Sequence, residues 1–559
     1  MSDYRAPNAQ RGMDGVVELE REVSRRFKNG VVDKELVSLT DQLVERVGAE
    51  SLDDRFSLKC RSLVCEVRDW IGRTKDAQSV VERGEEVWSR IVASPPPRED
   101  QALRLARERA RFVADYARVF CYRERNYEEA ERILKDCREF VTRHVEAPVF
   151  PCYGTRAQIS YFLGCAYRQL GDLARAEEEY GRALELHRLR AEAAVKNHGL
   201  TSERGQEEIA FARHRTAVIV GLGVGWVNYT RGYLGDALHS NITPTQTALI
   251  ECNDPVTSAY LSLIRGAILR SLAGSTDDAK LAEARAAAEY AYAVFTGADY
   301  RHDAYATRAA REVALSWLYS RDSEKFSKAQ DFIEAMERLA GKDQTWQANA
   351  LIVRSRLHRL KGEGREALKA AENAVRLTAH QEEPLGGIDA LIARGEALQE
   401  LGQLVDAERD FRQALRLVQE SGGRAPANPK LEGVLAIHLA RTCVRTGDER
   451  RALDWLQEWE RVGHSVEHRS IHERAADVKE ELSKLRRDFV VPVNESDLAY
   501  EKHEADLRKW LIERAKAKGP RQDDVAKALK VSRGTLGNWE RELGLNRARV
   551  IPDRTRRKR

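Results

Sequence analysis

The residues best suited to chemistry lie near the end of the chain, and the chemistry they favour is nucleic-acid recognition. Arginine pairs with two acceptors of guanine and asparagine with adenine, whereas serine and threonine more often bind phosphate. The residues of these types that we expect to face outward on one short helix and its turn are Ser532, Arg533, Thr535, Asn538 and Arg541. The alternative for this set is an ordinary solvated helical face.

Two short helical patterns position these residues, separated by a tight break at 530–532. Ser532 is placed to cap the second helix, because its side-chain oxygen can accept a backbone N–H. Apolar residues recur at spacings of three and four on both helices, so we interpret Trp539 as a packing residue rather than a base-stacking one. The apolar stripes consist of Val525, Ala526 and Leu529, and of Leu536, Trp539 and Leu543. This arrangement suits a helix-turn-helix, which presents its second helix to the major groove.

The run V-A-K-A-L-K-V-S-R-G-T-L followed by L-G-L resembles the Fis-type helix-turn-helix of bacterial proteins. The resemblance covers residues 497–545 and leaves the rest of the chain unassigned. It implies that residues 533–543 form the recognition helix and that double-stranded DNA is the partner. It further implies that the helix predicted over 497–518 packs on this module or pairs two protomers in a homodimer.

The charge distribution agrees with DNA as a partner. Residues 506–559 contain 17 Lys and Arg against 7 Asp and Glu, a balance of +10, whereas the whole chain is +4 and residues 1–505 are therefore −6. Such asymmetry is typical of nucleic-acid binding. The basic tail, 546–559, includes Arg547 and Arg549 and is expected to be disordered alone and to lie along phosphates. A solubilising terminus is the alternative.

A repeat precedes this module. Residues 157–190 carry small or apolar residues at positions 7, 8, 11, 15, 20, 24 and 27 of a 34-residue unit: Leu163, Gly164, Tyr167, Gly171, Ala176, Tyr180 and Ala183. This spacing resembles the tetratricopeptide repeat (TPR), in which small residues let two helices pack closely. Further copies of the same frame place Ser355, Gly395 and Ala440 at position 8, and weaker copies lie at 127–137, 225–237, 266–291 and 314–336. Stacked copies bury a continuous core and form a concave surface, which in this family binds proteins or peptides.

We therefore predict an all-α protein, a TPR-like α-solenoid followed by a small helix-turn-helix domain. The predicted segments are a disordered N-terminus (1–13), an N-terminal helical subdomain (14–93), the solenoid (98–488), a linker (489–496), the helix-turn-helix (497–545) and the basic tail (546–559). A charged helix over 467–488 is expected to be the polar cap of the solenoid. Whether 14–93 are true repeats is open.

Several other functions are disfavoured. No run of 18 apolar residues exists and the N-terminus lacks an apolar signal core, so we expect a cytoplasmic protein without a membrane span. Eight scattered cysteines without a C-x-x-C pair indicate reduced, packing residues. The glycines of 221–225 lack a phosphate-loop ending and are interpreted as close-packing residues. His464, His468 and His472 are the one histidine cluster, and metal binding there is disfavoured. We expect no enzyme and no cofactor.

Two functional hypotheses remain. The first is a DNA-binding transcriptional regulator whose solenoid binds or senses a protein or peptide. The second is an adaptor or scaffold without enzymatic activity in a signalling or anti-phage defence assembly. The solenoid's ligand, the DNA site and the direction of regulation are left open by the sequence.

Overall fold

The computed structural model of the 559-residue chain describes most of it. The described residues are 7–28, 32, 34–49, 54–70, 84, 86, 112–114, 117, 126–144, 150–249, 254–320, 322–379, 384–421, 428–487, 508–513, 515–516, 525–527, 529 and 533–542. Helices account for nearly all of these residues, and none of them lies in a strand. The chain divides into two compact units, Met1–Thr442 with Arg450–Asp477, and Cys443–Glu449 with Val478–Arg559.

The described helices, in chain order, are α1 (Pro7–Lys28), α2 (Lys34–Ala49), α3 (Asp54–Trp70), α4 (Tyr127–His144), α5 (Phe150–Gln169), α6 (Leu173–His198), α7 (Glu203–Val218), α8 (Gly225–Arg231), α9 (Thr243–Ala248), α10 (Pro255–Ala273), α11 (Asp278–Thr296), α12 (Asp303–Tyr319), α13 (Phe326–Ala340), α14 (Gln344–Leu360), α15 (Gly364–Thr378), α16 (Pro384–Glu400), α17 (Leu404–Ser421), α18 (Pro429–Thr446), α19 (Glu449–Gly463), α20 (Arg469–Arg487) and α21 (Arg533–Glu542).

The turns between paired helices are set by glycine. Gly171, Gly362 and Gly402 have φ of 85°, 77° and 74°, a left-handed conformation that costs glycine little because it has no Cβ. After the first of these turns Asp172 caps α6, because its side chain accepts the backbone N–H of Arg175 at 3.0 Å. The same turn therefore recurs in three helix pairs, as the repeat predicts.

Small residues set the spacing within a pair. A Cβ on Gly164 of α5 would lie 2.6 Å from the ring of Tyr180 on α6, and one on Gly395 of α16 would lie 2.5 Å from the ring of Phe411 on α17. Both rings are fully buried. The predicted role of small residues in close helix packing is thus confirmed at both positions.

The middle of the solenoid is less regular. Two π-helical segments, Ile219–Val224 and Asp236–Ile242, interrupt the helices around α8. Gly221 lies in the first of them, where a Cβ would meet the Leu261 side chain at 2.6 Å. The interpretation of these glycines as close-packing residues is confirmed.

The N-terminal helices differ from the prediction. α1 begins at Pro7, so residues 7–13 are helical rather than disordered. Phe27 and Val32 share a hydrophobic core with Phe295 and Ala306 of the solenoid. The described residues of 14–70 therefore share a core with the solenoid and fall in the same compact unit. Most of 71–93 and all of 1–6 lie outside the described residues.

The C-terminal unit has a small core of its own. Leu536 of α21 is fully buried and packs with four residues from the preceding segments: Ile512, Ala515, Val525 and Ala526. Trp539 is half-buried against this cluster, so its interpretation as a packing residue is confirmed. Lys516 forms a 2.7 Å ion pair with the buried carboxylate of Glu540. The predicted linker, 489–496, and the tail, 546–559, lie outside the described residues.

Candidate functional site: a cationic and aromatic cavity

A cavity of about 390 Å³ lies inside the first unit. Its walls come largely from α10, α12, α14, α16 and α18, each the first helix of its pair, and from the start of α20. A volume of this size suits a small-molecule site.

The lining is strongly cationic. Seven of its side chains are arginine or lysine: Arg168, Arg270, Arg308, Arg311, Arg356, Lys430 and Arg474. Three are carboxylates, Glu312, Asp389 and Glu396, so the balance is +4 (7 minus 3) with the histidines neutral. The contrast with the −6 of residues 1–505 as a whole makes the cavity a local positive site in an acidic region.

Two of the carboxylates are fully engaged by arginine. Arg270 and Glu312 form a buried pair, with an Nη2–Oε2 distance of 2.8 Å and side chains only 5% and 7% exposed. Glu396 pairs with Arg359 and, at 2.9 Å, with Arg474. Although burial raises the pKa of the Glu396 carboxyl, the two guanidiniums and His438 outweigh it and hold that pKa well below its usual range. Glu396 is therefore charged, and both acids are already paired.

Asp389 is held less tightly. Its nearest cation is Arg311, at 3.6 Å. Burial raises the pKa of the Asp389 carboxyl, and the attraction of Arg311 and Lys430 only partly offsets this.

Arg356 of α14 stands out among the cavity's cations. Its guanidinium lies 4.4 Å from the ring centroid of Tyr319, and it makes no ion pair with any of the residues that the structure describes. Burial lowers the pKa of Arg356, as expected for a cation removed from water.

Tyr319 reports the resulting positive field. Burial by itself raises the pKa of its phenol, but the nearby guanidiniums of Arg356, Arg270 and Arg474 reverse the shift and lower that pKa to about 7. Its hydroxyl lies 3.4 Å from the Ser470 hydroxyl at the start of α20. A phenol that ionises this readily indicates a site that stabilises negative charge.

The pKa values of two histidines in the cavity lining are lowered, which is consistent with a positively charged surrounding. Burial and the charge of Arg308 lower the pKa of His302 to about 4. Burial, followed by Lys430, Arg270, Arg474 and Arg356, lowers the pKa of His468. Both imidazoles are neutral at pH 7, so they add no charge to the lining.

Aromatic rings separate the cations. Arg308 of α12 lies between indoles of two other helices, 5.9 Å from the Trp226 centroid and 5.2 Å from that of Trp346. The Lys430 ammonium lies 4.4 Å from the ring centroid of Tyr229, and Tyr229 Oη accepts a 3.4 Å hydrogen bond from Arg270. Such flat, apolar and cationic walls can hold a planar group and an anion together.

The start of α20 closes one side of the cavity. The N–H of Glu467 donates to the carbonyl of Gly232 at 3.0 Å, and the Ser275 hydroxyl donates to Glu473 at 2.9 Å. Ser470 and Ile471 are buried. The expectation that residues 467–488 are simply a polar cap is therefore wrong for the first turns of the helix, because these turns bond back to the middle of the solenoid.

The histidine cluster has structural partners. His468 Nδ1 lies 3.1 Å from the Ser470 hydroxyl, and His472 Nε2 lies 2.5 Å from the Val466 carbonyl oxygen. Across the described residues, no group of three or more His, Cys, Asp and Glu side chains is arranged to hold a metal ion.

The predicted DNA-contacting residues are only partly described. Arg533, Thr535, Asn538 and Arg541 all lie in α21. Asn538 is exposed and Thr535 half-buried, while the intervening Leu536 points into the core. Ser532, Arg547 and Arg549 lie outside the described residues, and the DNA contacts of all seven residues stay predictions.

Sequence reasoning missed the cavity residues. One signal was present: Arg270 is the single charge in the last eight residues of α10, G-A-I-L-R-S-L-A, which are otherwise small or apolar. A charge on an apolar helix indicates a buried partner or a ligand. No feature of the sequence indicates that α20 closes the cavity, because this closure depends on contacts between residues about two hundred positions apart.

Comparison with known proteins supports the repeat. Residues 157–188 match the family model described as the tetratricopeptide repeat, within the segment chosen from the residue spacing. No curated protein matches the chain. A solved structure, the "Crystal structure of APC/C hetero-tetramer Cut9-Hcn1", aligns with 85% of this chain and 94% of that chain at 15% identity and a TM-score of 0.26. A similarity this low says nothing about how either protein works.

The described chain is thus a TPR-like helical solenoid of stacked helix pairs, an architecture that supports protein–protein interaction. No helix in the described part is both long and apolar enough to cross a membrane.

Proposed function

We propose that the chain is a DNA-binding regulator in which the solenoid receives a partner and the C-terminal module contacts duplex DNA. In this proposal the solenoid partner is a protein or peptide, as expected of TPR-like repeats. The exposed Val405 (73%) and Leu401 (36%) around the start of α17 add apolar surface suited to such a partner.

The proposal of DNA binding rests on which residues of α21 are buried and which are exposed. Leu536 is fully buried and Asn538 exposed, so the helix turns one side to its core and leaves the other available. The +10 balance of residues 506–559 supplies attraction for phosphates. Asn538 and, by the resemblance, Arg533 and Arg541 are the residues we propose for base contacts.

In vitro selection of DNA by the full chain, compared with a truncation after Val493, tests this proposal. We expect the full chain to enrich a defined sequence and the truncation to enrich none. Equal enrichment by both proteins, or none by the full chain, would remove the DNA assignment.

The second candidate is a scaffold. It is favoured by the repeat match, which supports protein interaction and says nothing of DNA. Purification from the native host with and without nuclease separates the two: a stoichiometric protein partner and no bound nucleic acid in either preparation would favour the scaffold.

A further inference from the structure

We propose that the solenoid cavity binds a small-molecule ligand in which an oxyanion, a phosphate or a carboxylate, is attached to a planar ring. This ligand is additional to the protein partner and the DNA of the proposed function. It would make the solenoid a receptor for a metabolite-sized effector.

The anion site follows from a connected row of cations and rings. Lys430 lies over Tyr229, the Tyr229 hydroxyl accepts from Arg270, Arg270 lies 5.0 Å from the Tyr319 ring, and Arg356 lies over the same ring at 4.4 Å. Along this row Glu312 neutralises only Arg270.

Two members of the row lack an anionic partner. Neither Arg356 nor Lys430 forms an ion pair with any side chain in the described part of the structure, whereas Arg474 beside them pairs with Glu396. Both side chains are half-buried, and a cation that is partly removed from water without a carboxylate beside it is destabilising. An oxyanion of the ligand would supply the missing charge through strong, charge-assisted hydrogen bonds.

The ring site follows from the cation between two indoles. Arg308 lies near both Trp226 and Trp346, with Tyr305 also within 5.4 Å. Flat aromatic and guanidinium surfaces stack on planar groups. A site that bound only an anion would not require such surfaces.

The volume favours a small molecule over a peptide. A volume of about 390 Å³ lies within the range of small-molecule sites, about 300 to 1,000 Å³. A ligand the size of a nucleoside monophosphate fits this space, whereas an extended peptide advances about 3.3 Å per residue and soon exceeds it. The closure by α20 blocks one direction in which a longer chain could run.

Equilibrium dialysis of the full chain with AMP, adenosine and inorganic phosphate tests the inference. We expect AMP to bind about tenfold more tightly than either adenosine or phosphate, because only AMP fills both subsites. Arg356→Gln is expected to weaken AMP binding about tenfold or more, and Lys430→Gln to weaken it to a similar degree. Arg354→Gln is the matched control, since Arg354 lies on the same helix but pairs with Glu337 at 2.8 Å outside the cavity lining.

A stability measurement separates a ligand site from a structural one. Without ligand, the unfolding midpoint of Arg356→Gln should equal or exceed that of the wild type, because the substitution removes a half-buried charge that pairs with no described carboxylate. A lower midpoint, or unchanged AMP affinity in this variant, would overturn the inference.

Binding of a hexaglutamate peptide tests the alternative that the cavity binds an acidic peptide. Binding of this peptide without binding of AMP would overturn the small-molecule assignment in favour of an acidic peptide, and binding of neither would overturn the site altogether. The test uses no DNA. Arg533→Ala should bind AMP like the wild type, so failure here and failure of DNA binding are distinguishable.

Discussion

Two regions of this chain are rich in arginine and lysine, and they hold those cations in different ways. In the solenoid cavity, Arg270 is buried and Arg308 half-buried, and both lie against aromatic rings. In the C-terminal unit, Lys509 and Lys527 are exposed. The cavity holds a few charges in fixed places, whereas the terminal segment spreads a balance of +10 over residues 506–559.

This difference in the exposure of the cations indicates which kind of anion each region can bind. Exposed charges interact with a polyanion over many weak contacts, which salt screens strongly. Buried charges interact with a single group at short range and are screened less. The same residue types therefore favour a discrete oxyanion in one region and a phosphate backbone in the other.

The largest effect is expected from breaking the buried pair. Glu312→Ala leaves Arg270 buried without a carboxylate, which should cost about 3 to 5 kcal/mol of unfolding free energy. Glu283→Ala is the control, because its 2.6 Å pair with Arg265 is half exposed and should be worth less than about 1 kcal/mol. Denaturant unfolding followed by circular dichroism measures both. Equal losses would mean that the cavity charges behave like surface charges.

The next effect concerns α21. The double substitution Arg533→Ala with Asn538→Ala should weaken DNA binding about tenfold to a hundredfold, because each base contact contributes about 1 to 3 kcal/mol. Helicity should not change, since Asn538 is exposed and alanine is a strong helix former. Gel-shift titration measures the affinity. A double variant that binds as tightly as the wild type would remove these residues from the interface.

A change of pH should alter the affinity of the cavity for anions and leave DNA binding by α21 unchanged. The Tyr319 phenol, with its pKa of about 7, is neutral at about pH 6 and ionised at about pH 8.5, where it repels an incoming anion. The groups facing it are Arg270 of α10, Glu312 of its own helix, Arg356 of α14, Glu396 of α16, and His468, Ser470 and Arg474 at the start of α20.

Sulfate is a suitable probe because its charge is constant over this range. We expect sulfate to bind the full chain about tenfold more weakly at about pH 8.5 than at about pH 6, because one pKa unit of coupling corresponds to a factor of ten. Isothermal titration calorimetry measures the affinity. In Tyr319→Phe this difference should vanish, and a difference that persists would place the responsible titration elsewhere.

The smallest effect is expected from the ion pair of the C-terminal unit. Glu540→Gln should cost about 1 kcal/mol or less, because the Lys516 side chain is 39% exposed and can turn to water. Hydrogen exchange of the α21 amides measures the local loss. A loss as large as that of Glu312→Ala would erase the contrast between the two regions.

Much of the solenoid could be predicted from residue types alone. A glycine is required in the left-handed turn at Gly402 and beneath the aromatic ring at Gly395. Because these requirements recur along the solenoid, they are visible as a regular spacing in the sequence. The apolar spacing of the C-terminal unit likewise predicted the burial of Val525, Ala526 and Leu536.

The cavity could not be predicted in the same way. Its chemistry depends on Lys430 meeting Tyr229 and on Arg356 meeting Tyr319, contacts that join helices separated by tens to hundreds of residues. The core shared by α1–α3 and α10–α12 has the same origin, because amphipathic helices show that a partner exists but not which one.

The salt dependence of the two binding events tests the central claim most directly. AMP and the selected DNA would be titrated into the full chain at about 50 mM and about 200 mM salt. We predict that DNA affinity falls by at least about a hundredfold, as expected for several phosphate contacts, while AMP affinity falls less than about threefold. A parallel fall for both ligands would contradict the account, because it would show that the cavity and the terminal segment hold their anions in the same way.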